Sequence, residues 1–355
     1  MSEETRDMLQ EAARRIFAGN PPDLWGALQD AGFDKTLLPE SKGGAGASWA
    51  DACGLLGLVG EHAAPVPLAE AMIGQWLANR ADAPDLGFPT VASSVRPYEI
   101  QLNRERDGWR VQGTLTRVPW GDACTHVAFI VGSAPQLVVL ARNAAGVSVT
   151  PGRNLAGEPR DTLVLEGVAP HAVVAAPLDA DALLVVGAIV RSALMAGAIE
   201  RMLALVVEYA NQRVQFGRPI GKFQAVQQSI AVLATQAAAA RAAADAGSEA
   251  IDDWLAGDSE HLTHNISAIS AKIRSGEGAG QACAISHQVF GAIGFTEEHE
   301  LHRYTKRLWS WRDEYGNEAF WSRRLGEWVL ASEPGQTLWH TMVPIRQGVA
   351  AGVTE

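Results

Sequence analysis

Cysteine is scarce in this chain: three residues among 355, at positions 53, 124 and 283, with no CxxC pair. A disulfide framework is therefore excluded, and Cys53, Cys124 and Cys283 are expected to be reduced and buried, as in a cytoplasmic protein. Positive charge is also in deficit. The formal net charge is −11, which argues against general nucleic-acid binding because phosphate backbones reward basic surfaces, yet leaves room for a local basic pocket for a small anion. No uninterrupted apolar run of about 18 residues occurs, so no membrane span is expected. The opening "MSEETRDMLQEAARRIF" is polar and amphipathic rather than a signal peptide. A P-loop, a GxGxxG after a strand and a GxSxG elbow are all missing, which leaves nucleophilic catalysis without support. His261/His264 and His299/His302 stand at short spacing, but "HELH" is not HExxH and no cysteine cluster lies nearby. They read as helix-surface histidines, and no metal is expected.

What is present is ordinary for a soluble globular protein: 47% hydrophobic and 19% charged residues. The length suits two or three domains. Residues 1–87 read as helices broken by turns, with Gly32 as a stop and Ser48 as the N-cap of a helix. From 88 to 178, short β-rich runs alternate as in "GWRVQGTLTRV" and imply an antiparallel β domain. From 179 to 355, long helical patterns joined by short loops predict a four-helix bundle. The fold class is α+β, in the order helical domain, β domain, bundle.

One stretch, "RVQFGRPIGKFQAVQQ" at 213–228, places arginines and an apolar Phe-Gly turn at the mouth of a long helix. A helix start offers free N–H groups and a positive dipole end, so an anionic ligand is one reading and a solvated interhelical turn the other.

Together with three other segments, this stretch resembles the acyl-CoA dehydrogenase family. "LPESKGGAGASW" resembles its P-E-x-x-G-G-x-G loop, and "GWRVQGTLTRV" its middle-domain strand pair. Residues 213–224 match R-x-x-F-G-x-x-[IL]-x-x-[FL]-Q, and "HQVFGAIGFTEEHELHRYTKR" is similar to the Q-x-[LF]-G-G-x-G-[FY] segment and its tail. The resemblance covers nearly the whole chain. It implies an FAD-dependent enzyme that desaturates an acyl-CoA and passes electrons to an electron-transfer flavoprotein or similar acceptor. It also implies a dimer in which Arg213, Gln215, Phe216, Ile220, Phe223, Gln288, Gly291 and Ala292 reach the neighbouring subunit's FAD. A guanidinium suits a pyrophosphate, and Phe216 can pack on adenine.

The family's base is where the sequence departs. A carboxylate must remove the α-proton while the flavin accepts the β-hydride. The usual glutamate slot holds Tyr315, and the alternative slot, 26 positions before Arg213, holds Gly187. Glu314 and Asp313 are adjacent, so a one-residue slip restores a base. The family's W-[IV]-[TS] stretch at the flavin matches Arg117-Val118-Pro119, where proline offers neither hydroxyl nor N–H. No counterpart of its E-P-x-A-G-S-D loop is found near "FPTVASSVRPYEI". This pattern resembles the base-lacking subunit of heterotetrameric steroid side-chain acyl-CoA dehydrogenases, which pair with a second dehydrogenase chain as α2β2. Two alternatives remain open: a self-sufficient homo-oligomer using Glu314, and a non-enzymatic stabilising subunit. Five of the eleven tryptophans fall between Trp309 and Trp339; they suit a bundle tail buried in an interface or lining a bulky apolar cavity, with ordinary core packing explaining about half.

Overall fold

The computed structural model describes residues 3–93, 99–259 and 261–331. The N-terminal helices are α1 (Glu3–Gly19), α2 (Leu24–Asp30), α3 (Trp49–Glu61) and α4 (Leu68–Arg80). Gly32, at φ 77°, follows α2 in the left-handed region that stops a helix. Ser48 caps α3 through a capping box: its hydroxyl accepts from the Asp51 N–H and the Asp51 carboxylate accepts from the Ser48 N–H.

Eight strands follow: β1 (Pro89–Val91), β2 (Gln101–Glu105), β3 (Gly108–Pro119), β4 (His126–Val131), β5 (Gln136–Ala141), β6 (Val147–Thr150), β7 (Arg160–Val168) and β8 (Ala172–Ala175). They form two four-stranded sheets, β1-β4-β5-β8 and β2-β3-β7-β6. Val111, Leu115 and Val118 from one sheet share a core with Val127, Phe129 and Val138 from the other. Every pairing is antiparallel except β1 with β4, which is parallel, the connection between them running through β2 and β3 of the other sheet.

Beyond the sheets lie α5 (Ala180–Gln212), a two-strand hairpin of β9 (Val214–Gln215) and β10 (Arg218–Pro219), then α6 (Gln224–Ala256), α7 (Ile266–Phe290), α8 (Leu301–Asp313) and α9 (Glu318–Ala331). α5, α6 and α7 pack on one another, and the bundle's fourth position is shared by α8 and α9. By length and composition α5 could cross a bilayer, but its apolar window is wholly buried as the central helix of the core. Asp252 on α6 accepts from the Trp49 and Ala50 N–H groups (2.8 and 3.0 Å), tying the start of α3 to the bundle.

One reading changes. His261 and His264 are not on an α-helix: Asn265 caps α7, and the two fall at the start and end of the short 3-10 turn before it (Leu262–His264), where His264 meets Trp328. His299 precedes α8 and its Nδ1 accepts from the Leu301 N–H at 3.1 Å. The described tryptophans of this tail divide, in keeping with a partial role in core packing. Trp311 and Trp321 are core residues at 3% and 1% exposure, and Trp309 alone is counted among the exposed large apolar residues. Trp339 lies outside the described residues, as do positions 94–98 of the middle-domain loop. Among the described residues, Cys53, Cys124 and Cys283 are free and buried, and no group of three or more metal-ligating side chains occurs.

Candidate active site

The three parts of the chain meet around Glu314, the residue that follows α8. Its carboxylate accepts from Arg160 Nε and Nη2 (2.7 and 3.0 Å), Arg191 Nε (2.7 Å) and Asn154 Nδ2 (3.2 Å). Arg191 also donates to Glu70 at 2.5 Å, and Arg160 to Glu158 at 3.2 Å. Glu158 accepts from Trp311 Nε1 at 3.0 Å and pairs with Arg307. All six charged side chains are buried. Three are positive and three negative, so the network neutralises itself. The void at this junction measures only about 10 Å3, bounded by Glu70, Trp120, Glu158, Arg160, Arg191 and Trp311.

Glu314 is poorly suited to proton abstraction. Burial alone pushes its carboxyl up, but the guanidiniums of Arg160 and Arg191 outweigh this and hold it at about 2. A general base works best with a pKa near the operating pH, and four donors already occupy this carboxylate.

Tyr315 and Gly187, the two positions where the family keeps its base, touch each other. A β-carbon at position 187 would run into the Tyr315 ring, so only glycine there lets the ring lie against α5. The Arg191 guanidinium sits 5.4 Å from the centre of that ring. The turn is firmly clamped. Lys272 Nζ donates to the Arg312 and Gly316 carbonyls (both 2.6 Å), and Trp321 Nε1 to the Tyr315 carbonyl (2.9 Å). Complete burial lowers the Lys272 amine to about 7. Sequence reasoning missed Glu70, Arg160, Arg191 and Lys272. A signal existed: Glu70 and Arg191 are single charges inside otherwise apolar helical stretches.

The far end of the bundle is open. Phe216 and Gly217 form the two-residue turn between β9 and β10, both with positive φ (52° and 80°). Such a turn favours Asn-Gly, yet Phe216 holds it while 93% exposed. Arg218 lies 4.3 Å over the Phe223 ring, and the Arg213 carbonyl accepts from the Ile220 N–H at 2.8 Å. Arg213, Gln215, Gln288, Gly291 and Ala292 are exposed; Ile220 and Phe223 are partly buried. The Arg213 guanidinium has no partner among the described residues. Phe223 occupies the N-cap of α6 and cannot cap it with its side chain. The end of α5 is joined to the end of α7 by Tyr209, which stacks on Phe290 at 4.4 Å. The hairpin and the Gln288–Ala292 segment therefore emerge at the same end of the bundle, as sequence had grouped them.

Backbone strain marks both regions. Among the described residues, seven non-glycine positions have positive φ, and four of them are Arg117, Trp120, Phe216 and Tyr315. These fall at the flavin-strand match, the turn and the base slot. Strain of this kind persists where surrounding structure or function requires it.

The acyl-CoA dehydrogenase C-terminal domain matches residues 180–319. Acyl-CoA dehydrogenase IpdE2 of Mycobacterium tuberculosis (strain ATCC 25618 / H37Rv) is 31% identical over 325 residues, covering 86% of this chain and 91% of that protein. A solved variant of the Tcur3481-Tcur3483 steroid ACAD superposes with a TM-score of 0.82 at 25% identity, over 92% of this chain and 98% of that one. The ChsE4-ChsE5 complex from Mycobacterium tuberculosis gives 0.84 at 23% identity, over 94% and 99%. The chain belongs to the acyl-CoA dehydrogenase family. FAD is the cofactor of that family.

The two regions fit FAD differently. At the junction the Tyr315 ring fills the space beside Gly187, the charges are paired with one another, and Pro119 has no N–H to offer. At the bundle end, an unpaired guanidinium, exposed amides, an uncapped helix start and an exposed phenyl ring suit an adenine and a pyrophosphate.

Proposed function

We propose that this chain is the base-lacking subunit of an FAD-dependent acyl-CoA dehydrogenase. It works with a second, catalytic dehydrogenase chain as α2β2 on a bulky acyl-CoA of steroid type. The observation that carries this reading is that neither base slot holds a carboxylate, Tyr315 and Gly187 packing together instead. The steroid assignment is supported by likeness to the Tcur3481-Tcur3483 steroid ACAD. Bound FAD supplies hydride acceptance at the β-carbon. In this reading Arg213 and the open start of α6 neutralise the partner-bound pyrophosphate, with Gln215 and Gln288 adding amide donors. Phe216 covers the adenine, and exposed Gly291 and Ala292 let backbone approach; Ile220 and Phe223 hold the hairpin. The base lies in the partner, and an electron-transfer flavoprotein or similar carrier takes the electrons.

The reading is tested by mixing acyl-CoA anaerobically with this chain alone, and with the chain co-purified with a partner dehydrogenase. Flavin bleaching is expected only in the co-purified assembly. Bleaching by the chain alone makes it a self-sufficient enzyme.

A further inference from the structure

Arg160 and Arg191 hold the Glu314 carboxylate as a protein holds a bound anion. Arg160 forks onto both oxygens through Nε and Nη2, and Arg191 adds Nε from α5. A planar guanidinium fork recognises any small carboxylate this way. Each arginine is also fixed by other groups. Arg160 Nη1 donates to the Pro159 carbonyl at 2.7 Å and Nη2 to Glu158, while Arg191 is held by Glu70. The two cations are therefore placed independently of what lies between them. Without an anion there, Arg160, Arg191 and Arg307 face only Glu70 and Glu158, which leaves one buried positive charge uncompensated and is costly. Glu314 itself arrives from a turn with positive φ at Tyr315 and Gly316 (56° and 88°), a conformation a non-glycine residue adopts only when anchored.

We infer that Arg160 and Arg191 form an internal carboxylate seat and that Glu314 is its built-in occupant. Seated, Glu314 holds the Tyr315 ring on Gly187 and fastens α4, β7, α5 and the end of α8 at one point. The chemical class the seat takes is a small carboxylate. The seat extends the subunit reading without depending on it, since it concerns one chain whatever its partner.

The test is thermal unfolding of the full-length chain carrying Glu314→Ala, with formate, acetate, acetamide or chloride at matched ionic strength. The empty seat should lower Tm by roughly 5–10 °C, as expected when one member of a buried ion network is removed. Formate and acetate should recover half or more of the loss, saturably, and should slow amide exchange in 312–316. Acetamide and chloride should recover nothing, and wild type should not respond to any of them. A loss that carboxylates do not recover, or an equal response in wild type, overturns the seat. If Glu314→Ala yields no soluble protein with or without formate, Glu314→Gln decides: it keeps the volume and removes the charge. A Tm within about 2 °C of wild type in that variant overturns the proposal, and a loss of about 5 °C or more upholds it. Neither result depends on flavin content or on a partner chain.

Discussion

The junction around Glu314 and the bundle end around Phe216 treat their functional groups in opposite ways. At the junction three arginines and three glutamates are buried and answer one another. At the bundle end Arg213 has no partner among the described residues and Phe216 stands in solvent on a strained backbone. An interior that satisfies its own charges needs no ligand. A surface that keeps an unpaired cation and an exposed ring is shaped for something outside the chain. The contrast supports the proposed reading, in which this chain contributes at its exposed edge and the Glu314 junction serves as internal structure.

The contrast breaks most severely at Arg191. Arg191→Met strands Glu70 and Glu314 without their shared cation, and a loss of about 3–5 kcal/mol in denaturant unfolding is expected. A loss under about 1 kcal/mol would mean that the network tolerates an uncompensated charge and is not closed.

Acid should reach the same junction. The Glu314 carboxyl is held at about 2, below its ordinary 4.5, so its stabilisation is fully present above pH 4.5. It is lost as pH falls through about 2, on the order of 3 kcal/mol in all. Unfolding midpoints measured from pH 5 to pH 2 check this. Glu314→Gln should flatten the slope in that window, and an unchanged slope would move the titration elsewhere.

At the bundle end the effects appear in binding. In the proposed complex Arg213→Ala would remove a charge-assisted contact of about 1.5–3 kcal/mol, so FAD titration of the assembled complex should show about ten- to a hundredfold weaker binding. Arg213→Lys should restore only part, since a point charge cannot fork onto two oxygens.

The smallest effect has two signs. Phe216→Asn suits the left-handed turn and should stabilise the isolated chain by roughly 0.5–1 kcal/mol. The same change should weaken FAD binding in the complex by removing the aromatic surface. Loss of stability in the isolated chain would show that Phe216 serves the fold rather than a ligand.

Much of the architecture was legible because its signals are local. The Ser48 cap, the Gly32 stop and the alternation through Trp109 and Val111 each act within a few residues. The exposed end was legible for the same reason, as one contiguous motif spans Arg213 to Gln224. The junction was not. Glu70 and Arg191 are 121 residues apart, and Arg160 and Glu314 154 apart, so no spacing rule connects them. Counting along the family motif reached Tyr315 and Gly187 separately, but only packing shows that one fills the space the other leaves. Tryptophan number likewise says nothing about direction: Trp311 and Trp321 point into the core while Trp309, two positions from Trp311, does not.

The most direct test is the FAD count in the complex with its partner dehydrogenase. Native mass fixes the α2β2 composition, and released flavin is measured per heterodimer. The proposed reading predicts one FAD per heterodimer, since in it this chain's Arg213 end would complete the partner's site and its own junction would hold no flavin. Two FAD per heterodimer would place a flavin in the junction and contradict the account.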